Sequence, residues 1–143
     1  MQNGRPDDEW EQLIHAGHDV MVDTARDEGV MTYAQFNEAL CSATGLDRFD
    51  FSNPGSLKYF SRLLAHIVEQ DPMCHQFMIS SVVKLAPPAD GPGSGFFVLA
   101  KSLDYPDPMS TKEEKESFWL KQLAAAHAHH SPRRRRAAAR AGS

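Results

Sequence analysis

Residues 77–103 read FMISSVVKLAPPADGPGSGFFVLAKSL, and three consecutive parts of this stretch favour three different structures. The first part, 77–85, is rich in apolar and β-branched residues and predicts the one clear strand of the chain. Prolines and glycines predict turns over 86–94. The apolar run 96–103 favours a helix over a strand. A strand, a turn and a helix in succession indicate a domain that mixes α and β structure.

Four further helices are predicted on either side of this stretch. In each, apolar residues recur every three or four positions between capping residues. The predicted helices span residues 7–26, 33–43, 56–69 and 110–126. Thr32 is a good N-cap for the second helix, Gly45 a good stop, and Thr111 with Glu114 forms a capping-box pattern. The whole pattern predicts an α+β, predominantly helical fold with a small sheet, flanked by N- and C-terminal helices.

The chain of 143 residues has the length of one domain. We expect a disordered segment over 1–6, a single domain over 7–126 and a disordered basic tail over 127–143, which lacks apolar anchors. No run approaches the roughly 20 apolar residues that span a bilayer, and the polar N-terminus lacks the apolar core of a secretory signal. With two cysteines and no disulfide pattern, we expect free thiols, a cytoplasmic location and no membrane partner.

The formal net charge of −4 hides an uneven distribution along the chain. Five arginines lie beyond residue 131, so residues 1–131 hold 10 basic residues against 19 acidic ones, a net charge of −9. Nonspecific DNA affinity comes mainly from Lys and Arg that neutralise phosphates. The predicted domain is therefore not a general phosphate-binding surface, and any DNA contact must use a local patch or the arginine-rich tail.

No sequence pattern indicates a catalytic or metal centre. His15 and His18 lie three residues apart on a predicted helix, but the chain has no CxxC or HExxH pattern beside them. Cys74 and His75 are neighbours, and neighbours in sequence rarely face each other as a nucleophile and its base. We expect no metal ion, no cofactor and no enzymatic activity.

Aromatic and basic residues alternate in the middle of the chain, which is the composition of a surface that binds nucleic acid. Most of the phenylalanines are expected in the core, and those outside it can stack on an unpaired or flipped base. Lys58 and Arg62 are four residues apart and should share an outward face of one helix. The glycine-rich segment 91–95 lacks a phosphate-loop motif; it is either a tight connection or a wing-like loop whose N–H groups approach a phosphate.

Two stretches carry a resemblance to known domains. VMTYAQFNEAL, residues 30–40, resembles the TY-containing helix entry of alkyltransferase-like and winged-helix DNA-binding domains. MISSVVKL with GPGSGFFVLAKSL resembles the PGxGFFxLA segment of small actinobacterial proteins and of domains joined to restriction nucleases. The resemblance covers residues 30–104 and implies a winged-helix-like core that works on DNA. It further implies recognition of a modified base such as 5-methylcytosine, and points to Thr32, Tyr33, Pro92, Gly93, Gly95, Phe96 and Phe97.

From these observations the function predicted first is noncatalytic DNA binding by a candidate reader of 5-methylcytosine, associated with the nucleoid. The candidate DNA-binding residues are Thr32, Tyr33, Phe49, Phe51, Lys58, Arg62, Lys84, Gly93, Phe97, Arg133, Arg134, Arg135 and Arg136. The alternative is an accessory protein whose acidic body binds a protein partner. The arginine-rich tail is either a solvated extension or a nonspecific nucleic-acid arm. The first and last helices either pack on the core or build a homodimer.

Overall fold

A computed structural model describes residues 4–133, 136 and 140, and the domain in it is mostly helical with a small sheet, as predicted. Its elements, in chain order, are α1 (Asp7–Arg26), β1 (Met31–Thr32), α2 (Tyr33–Thr44), α3 (Pro54–Gln70), a 3₁₀ turn (Ile79–Val82), β2 (Val83–Lys84), α4 (Ser94–Ser102) and α5 (Lys112–His130). Within these described residues, no helix combines the length and the apolar character needed to cross a membrane.

The predicted helix ends are set by local hydrogen bonds. Thr32 caps α2: its hydroxyl accepts a bond from the Gln35 N–H at 3.1 Å, and the Gln35 side chain accepts one from the Thr32 N–H at 2.8 Å. Gly45 ends α2 in the left-handed conformation, with φ of 75°. Thr111 and Glu114 form the predicted capping box of α5. The start of α3 was predicted two residues late, because the Asn53 side chain caps a helix that begins at Pro54.

The core lies where α1 packs against α2, α3, the 3₁₀ turn and α5. Trp10 of α1 and Phe60 of α3 are among its largest buried side chains. Four aromatic rings meet the Phe60 ring edge-on at 4.8–6.0 Å; they belong to Tyr33, Phe36, Phe49 and Phe51. The first and last helices therefore pack on the same core as the middle of the chain.

The predicted strand over 77–85 is wrong in most of its length. Residues Ile79–Val82 form a 3₁₀ turn, and only Val83–Lys84 are extended. This short strand pairs in parallel with Met31–Thr32, which leaves two rungs of sheet. All four residues of the 3₁₀ turn are buried: Ile79, Ser80, Ser81 and Val82. The run is therefore apolar because the turn is buried on every side, and not because it pairs as a strand.

The last helix extends beyond the predicted boundary at residue 126. α5 continues to His130, and the side chains of His127 and Ser131 are buried. His127 lies 2.9 Å from the Gly29 carbonyl oxygen, and this contact fixes part of the chain that was predicted to be disordered. At the other end of the chain, Arg5 lies in the segment 1–6 that was predicted to be disordered. Its side chain donates a 2.7 Å hydrogen bond to the Asp47 carbonyl. The rest of both predicted segments, 1–3 and most of 134–143, lies outside the described residues.

Ionisable side chains from α1, the turn after α3 and the end of α5 meet at one side of the core. The carboxylate of Asp71 is buried and lies 3.7 Å from the imidazole of His18, an ion-pair distance. Pairing with Asp71 outweighs burial and raises the pKa of His18. Burial alone would raise the pKa of Asp71, but His18 and a hydrogen bond from the Met73 N–H lower it. Burial lowers the pKa of His130.

The His18–Asp71 pair predicts a pH-dependent contribution to stability. Because the pKa of His18 is raised in the folded chain, its stabilisation is full below 6.5, the unfolded value, and is lost as the pH rises through the raised pKa. The difference in Tm between the native chain and His18→Asn should therefore shrink between about pH 5 and about pH 8. His130, whose pKa is lowered mainly by burial, contributes the opposite trend in both chains.

His15→Asn is the matched control, because His15 lies on the same helix with a side chain that is 74% exposed. Its one ion-pair contact, with Glu11 at 3.9 Å, is exposed on both sides, and exposed pairs contribute little to stability. The His15→Asn difference should therefore change much less with pH than the His18→Asn difference. A His18→Asn difference that is constant, or that grows with pH, would contradict the ion pair.

Candidate functional site

The start of α2 and the start of α4 are joined by one hydrogen bond. The pairing of Thr32 with Lys84 in the sheet places Tyr33 beside the loop that follows β2. The Tyr33 hydroxyl accepts a 2.8 Å bond from the Gly93 N–H, across 60 residues of sequence. The loop closes on itself through a 2.8 Å bond from the Leu85 N–H to the Gly91 carbonyl. The two stretches that carry the resemblance, the TY helix entry and the PGSGFF turn, are thus in direct contact.

A cavity of about 260 Å³ opens where these two stretches meet α3. Its walls are mostly apolar, and its polar groups are the Tyr33 hydroxyl, three serines and the backbone of the α4 start. We call it the Tyr33 cavity; it is lined by Tyr33, Leu57, Phe60, Ser61, Leu64, Ala65, Ser80, Leu85, Gly93, Ser94, Gly95, Phe96 and Leu99. Sites for drug-sized ligands begin at about 300 Å³, so this volume suits a smaller, flat group such as a nucleobase.

The Tyr33 cavity has no carboxylate among its lining residues. Four other surface cavities of the described chain each contain at least one, contributed by residues such as Asp107, Asp19, Glu9 and Glu116. In a domain with a net charge of −9 over residues 1–131, an acid-free cavity is a distinct electrostatic environment. Such a cavity suits a ligand that is neutral or negatively charged.

Tyr33 is held neutral at this position. Burial raises the pKa of its phenol, and the hydrogen bond from Gly93 only partly opposes that effect. The hydroxyl oxygen is already an acceptor for Gly93, and its own proton has no acceptor within the described residues. Tyr33 can therefore donate a hydrogen bond to a ligand while its ring lines the wall.

The aromatic residues predicted to bind a base fall into two groups. Tyr33 lines the cavity, whereas Phe49 is buried against Phe60 and Phe51 is partly buried against the same ring. Phe97 is also buried, in contact with Phe96 and Phe118 and under the ammonium group of Lys115. The expectation that most phenylalanines belong to the core is confirmed for Phe49 and Phe97.

The basic residues predicted to meet phosphate are also divided. Lys58 and Arg62 are exposed on α3. They directly follow Leu57 and Ser61 in sequence, and those two residues line the cavity. Lys84 is half-buried and forms an ion pair with Asp90, so its charge is already compensated. In the tail, Arg133 and Arg136 are exposed, while the predictions for Arg134 and Arg135 fall outside the described residues.

Two predicted residues have clear structural roles. Thr32 caps α2, and Gly93 is the N-cap of α4 as well as the donor to Tyr33. A Cβ on Gly93 would lie 3.4 Å from the Tyr33 hydroxyl, which is van der Waals contact.

Several lining residues were missed by sequence reasoning. Phe60 and Leu57 belong to an ordinary amphipathic helix, and nothing in that pattern separates a cavity wall from the core. Ser80 lies within residues 77–85, which were predicted to form a strand. A signal for Phe96 existed, since it lies in the PGSGFF turn that carries the resemblance.

The histidines and cysteines do not assemble a metal centre in the part of the chain that the structure describes, where no three metal-binding side chains are suitably grouped. Both cysteines are free thiols, and Cys74 is buried. The Cys74 carbonyl accepts a 2.7 Å bond from the Tyr105 hydroxyl, which is a structural contact.

Comparison with known proteins found no matching family model, no matching curated protein and no matching solved structure. The resemblance of residues 30–104 to DNA-binding domains therefore stays a prediction. The functional argument depends on the geometry and chemistry of the Tyr33 cavity.

Removing the Tyr33 hydroxyl should loosen the start of α4. Tyr33→Phe leaves the half-buried Gly93 N–H without its acceptor, which we expect to lower the free energy of unfolding by about 1–3 kcal/mol. Amide exchange at Gly93 should accelerate in the same variant. The measurements are chemical denaturation and hydrogen exchange followed by NMR.

Tyr59→Phe is the matched control, since the Tyr59 hydroxyl makes no hydrogen bond within the described residues. If the two variants are equally stable and amide exchange at Gly93 is unchanged, the hydrogen bond between α2 and α4 contributes nothing to the free energy of unfolding.

Proposed function

We propose that the chain is a noncatalytic DNA-binding module that takes one base, with 5-methylcytosine as the first candidate, into the Tyr33 cavity. The observation that carries the proposal is the cavity itself: an apolar, acid-free recess of about 260 Å³ with Tyr33, Phe60 and Phe96 among its walls. A flipped base needs an enclosing pocket of apolar and aromatic side chains with a few polar contacts. In this proposal, the loop 86–93 takes the position that a wing has in winged-helix-like domains.

The charges around the cavity favour binding of a base over nonspecific contacts with the DNA backbone. A body with a net charge of −9 over residues 1–131 repels phosphates in general. Lys58 and Arg62 are exposed on α3 and follow the cavity-lining Leu57 and Ser61 in sequence. In this proposal they meet the phosphates that flank an extruded base. Base contacts then supply the specificity, and the arginine-rich tail adds affinity that depends on salt.

The acidic surface favours one competing function, binding to a basic protein. Acidic residues crowd the first turn of α1, where Asp7, Asp8 and Glu9 precede the exposed Glu11. Such a partner would contact α1 and would not need the Tyr33 cavity. The two functions therefore predict different effects of changes at the cavity mouth.

The cavity is tested by Leu57→Glu in the full chain. Leu57 is 42% exposed at the mouth, so glutamate there should leave the fold intact while it introduces a carboxylate beside the base. We expect affinity for a duplex with one 5-methylcytosine to fall by about tenfold or more, in line with the energy of base stacking on aromatic side chains. Fluorescence anisotropy at two salt concentrations measures it.

Leu120→Glu is the control for surface charge, because Leu120 is 46% exposed on α5 and does not line the cavity. Replacing Arg133, Arg134, Arg135 and Arg136 by glutamine in the full chain separates the tail from the body. If the cavity binds the base, methylation-dependent binding survives the tail change but not Leu57→Glu. Binding that depends only on the tail, or an absence of DNA binding, would refute the proposal and favour a protein partner.

A further inference from the structure

The amino end of α4 forms part of the rim of the Tyr33 cavity and is not capped. Its N-cap is Gly93, which has no side chain to satisfy the first N–H groups. The N–H groups of Ser94 and Gly95 have no acceptor among the described residues, and both residues are exposed and line the cavity. A helix start with free N–H groups carries a partial positive charge and favours anions.

A second, independent feature lies deeper in the same cavity. Ser80 lines it, yet the residue is only 5% exposed. Its hydroxyl forms no hydrogen bond within the described residues, and its oxygen, unlike that of Ser81, is not closed off from the surface. A ligand atom in the cavity can therefore accept a hydrogen bond from this hydroxyl or donate one to it.

Hydrogen-bonding groups therefore lie in two parts of an apolar recess. The start of α4 offers the Ser94 and Gly95 N–H groups with the Tyr33 hydroxyl beside them, and the buried Ser80 offers a second hydroxyl. Phe60, Leu64, Phe96 and Leu99 contribute apolar wall between them. No carboxylate lines this cavity, in contrast to four other cavities on the described surface.

We propose that the Tyr33 cavity binds a nucleotide as a unit, with the base on the apolar wall and its phosphate on the amino end of α4. The base places a polar edge on Ser80, and the phosphate accepts hydrogen bonds from the Ser94 and Gly95 N–H groups. This inference rests on the proposed function, because it assigns the contacts of the same cavity. The phosphate can belong to a DNA strand or to a free nucleotide, and the two sources are separated by experiment.

The first experiment compares ligands on the full chain by calorimetry. The ligands are 5-methyldeoxycytidine, its monophosphate, inorganic phosphate and an oligonucleotide that contains the same base. We expect the monophosphate to bind about tenfold more tightly than the nucleoside, and inorganic phosphate alone to bind much more weakly than either. Equal affinity of nucleoside and monophosphate, or equal affinity of monophosphate and inorganic phosphate, would overturn the inference.

The second experiment removes one donor without disturbing the helix. Ser94→Pro deletes the N–H of the first residue of α4, a position that tolerates proline, and Gly93 before it is extended, as a residue preceding proline must be. Ser94→Ala is the control that keeps the N–H. We expect Ser94→Pro to lose most of the preference for the monophosphate and Ser94→Ala to retain it. Retention of the preference in Ser94→Pro would contradict the assignment of the phosphate.

A matched pair of serines tests the interior contact. Ser80→Ala should weaken nucleoside and monophosphate equally, because both place a base edge at this hydroxyl. Ser81 is also buried and its hydroxyl also lacks a partner, but it does not line the cavity, so Ser81→Ala should change neither affinity. Equal effects of the two substitutions would remove Ser80 from the site.

The outcomes separate this inference from the proposed function. Tight binding of the monophosphate without binding of the oligonucleotide would keep the nucleotide site and refute a role on DNA. Oligonucleotide binding through Leu57 with no preference for the phosphate would keep DNA binding and refute the contact with α4. Failure of all these ligands would refute both.

Discussion

The hydrogen bond from the Gly93 N–H to the Tyr33 hydroxyl is the constraint on which the rest of the site depends. The sheet that accompanies it has two rungs, so it supplies little independent restraint. Tyr33 is fixed by the capped start of α2 and by its contact with Phe60, and Gly93 is fixed by Tyr33. Because the bond spans 60 residues of sequence, it also determines how the amino end of α4 faces α3. The cavity is the space that these three helices leave between them.

The charge distribution gives this cavity its chemical character. Carboxylates occur in four other cavities and dominate the first turn of α1. The Tyr33 cavity opposes a negatively charged ligand less than these sites do. It also offers free N–H groups and two hydroxyls, which an acceptor-rich ligand can use. Electrostatics and hydrogen bonding thus favour the same small region.

Local signals were sufficient for the helices and insufficient for the strand and the site. The caps at Thr32, Gly45 and Thr111 act through neighbours in sequence, so the pattern alone places them. The apolar run 77–85 reads as a strand because it contains β-branched and apolar residues, but residues 79–82 form a buried 3₁₀ turn that packs against α1 and α5. Phe49 and Phe51 were expected near a base, yet both pack on Phe60 of α3, Phe49 buried and Phe51 partly buried. Contacts between distant elements decide these cases, and no local pattern contains them.

The most direct measurement is the change in amide NMR spectra when the full chain is titrated with a duplex that carries one 5-methylcytosine. The account predicts that the largest shifts fall on Tyr33, Ser80, Ser94 and Gly95, with smaller shifts on α3 beside the cavity mouth. Shifts confined to the arginine-rich tail, or to the acidic face of α1, would contradict it.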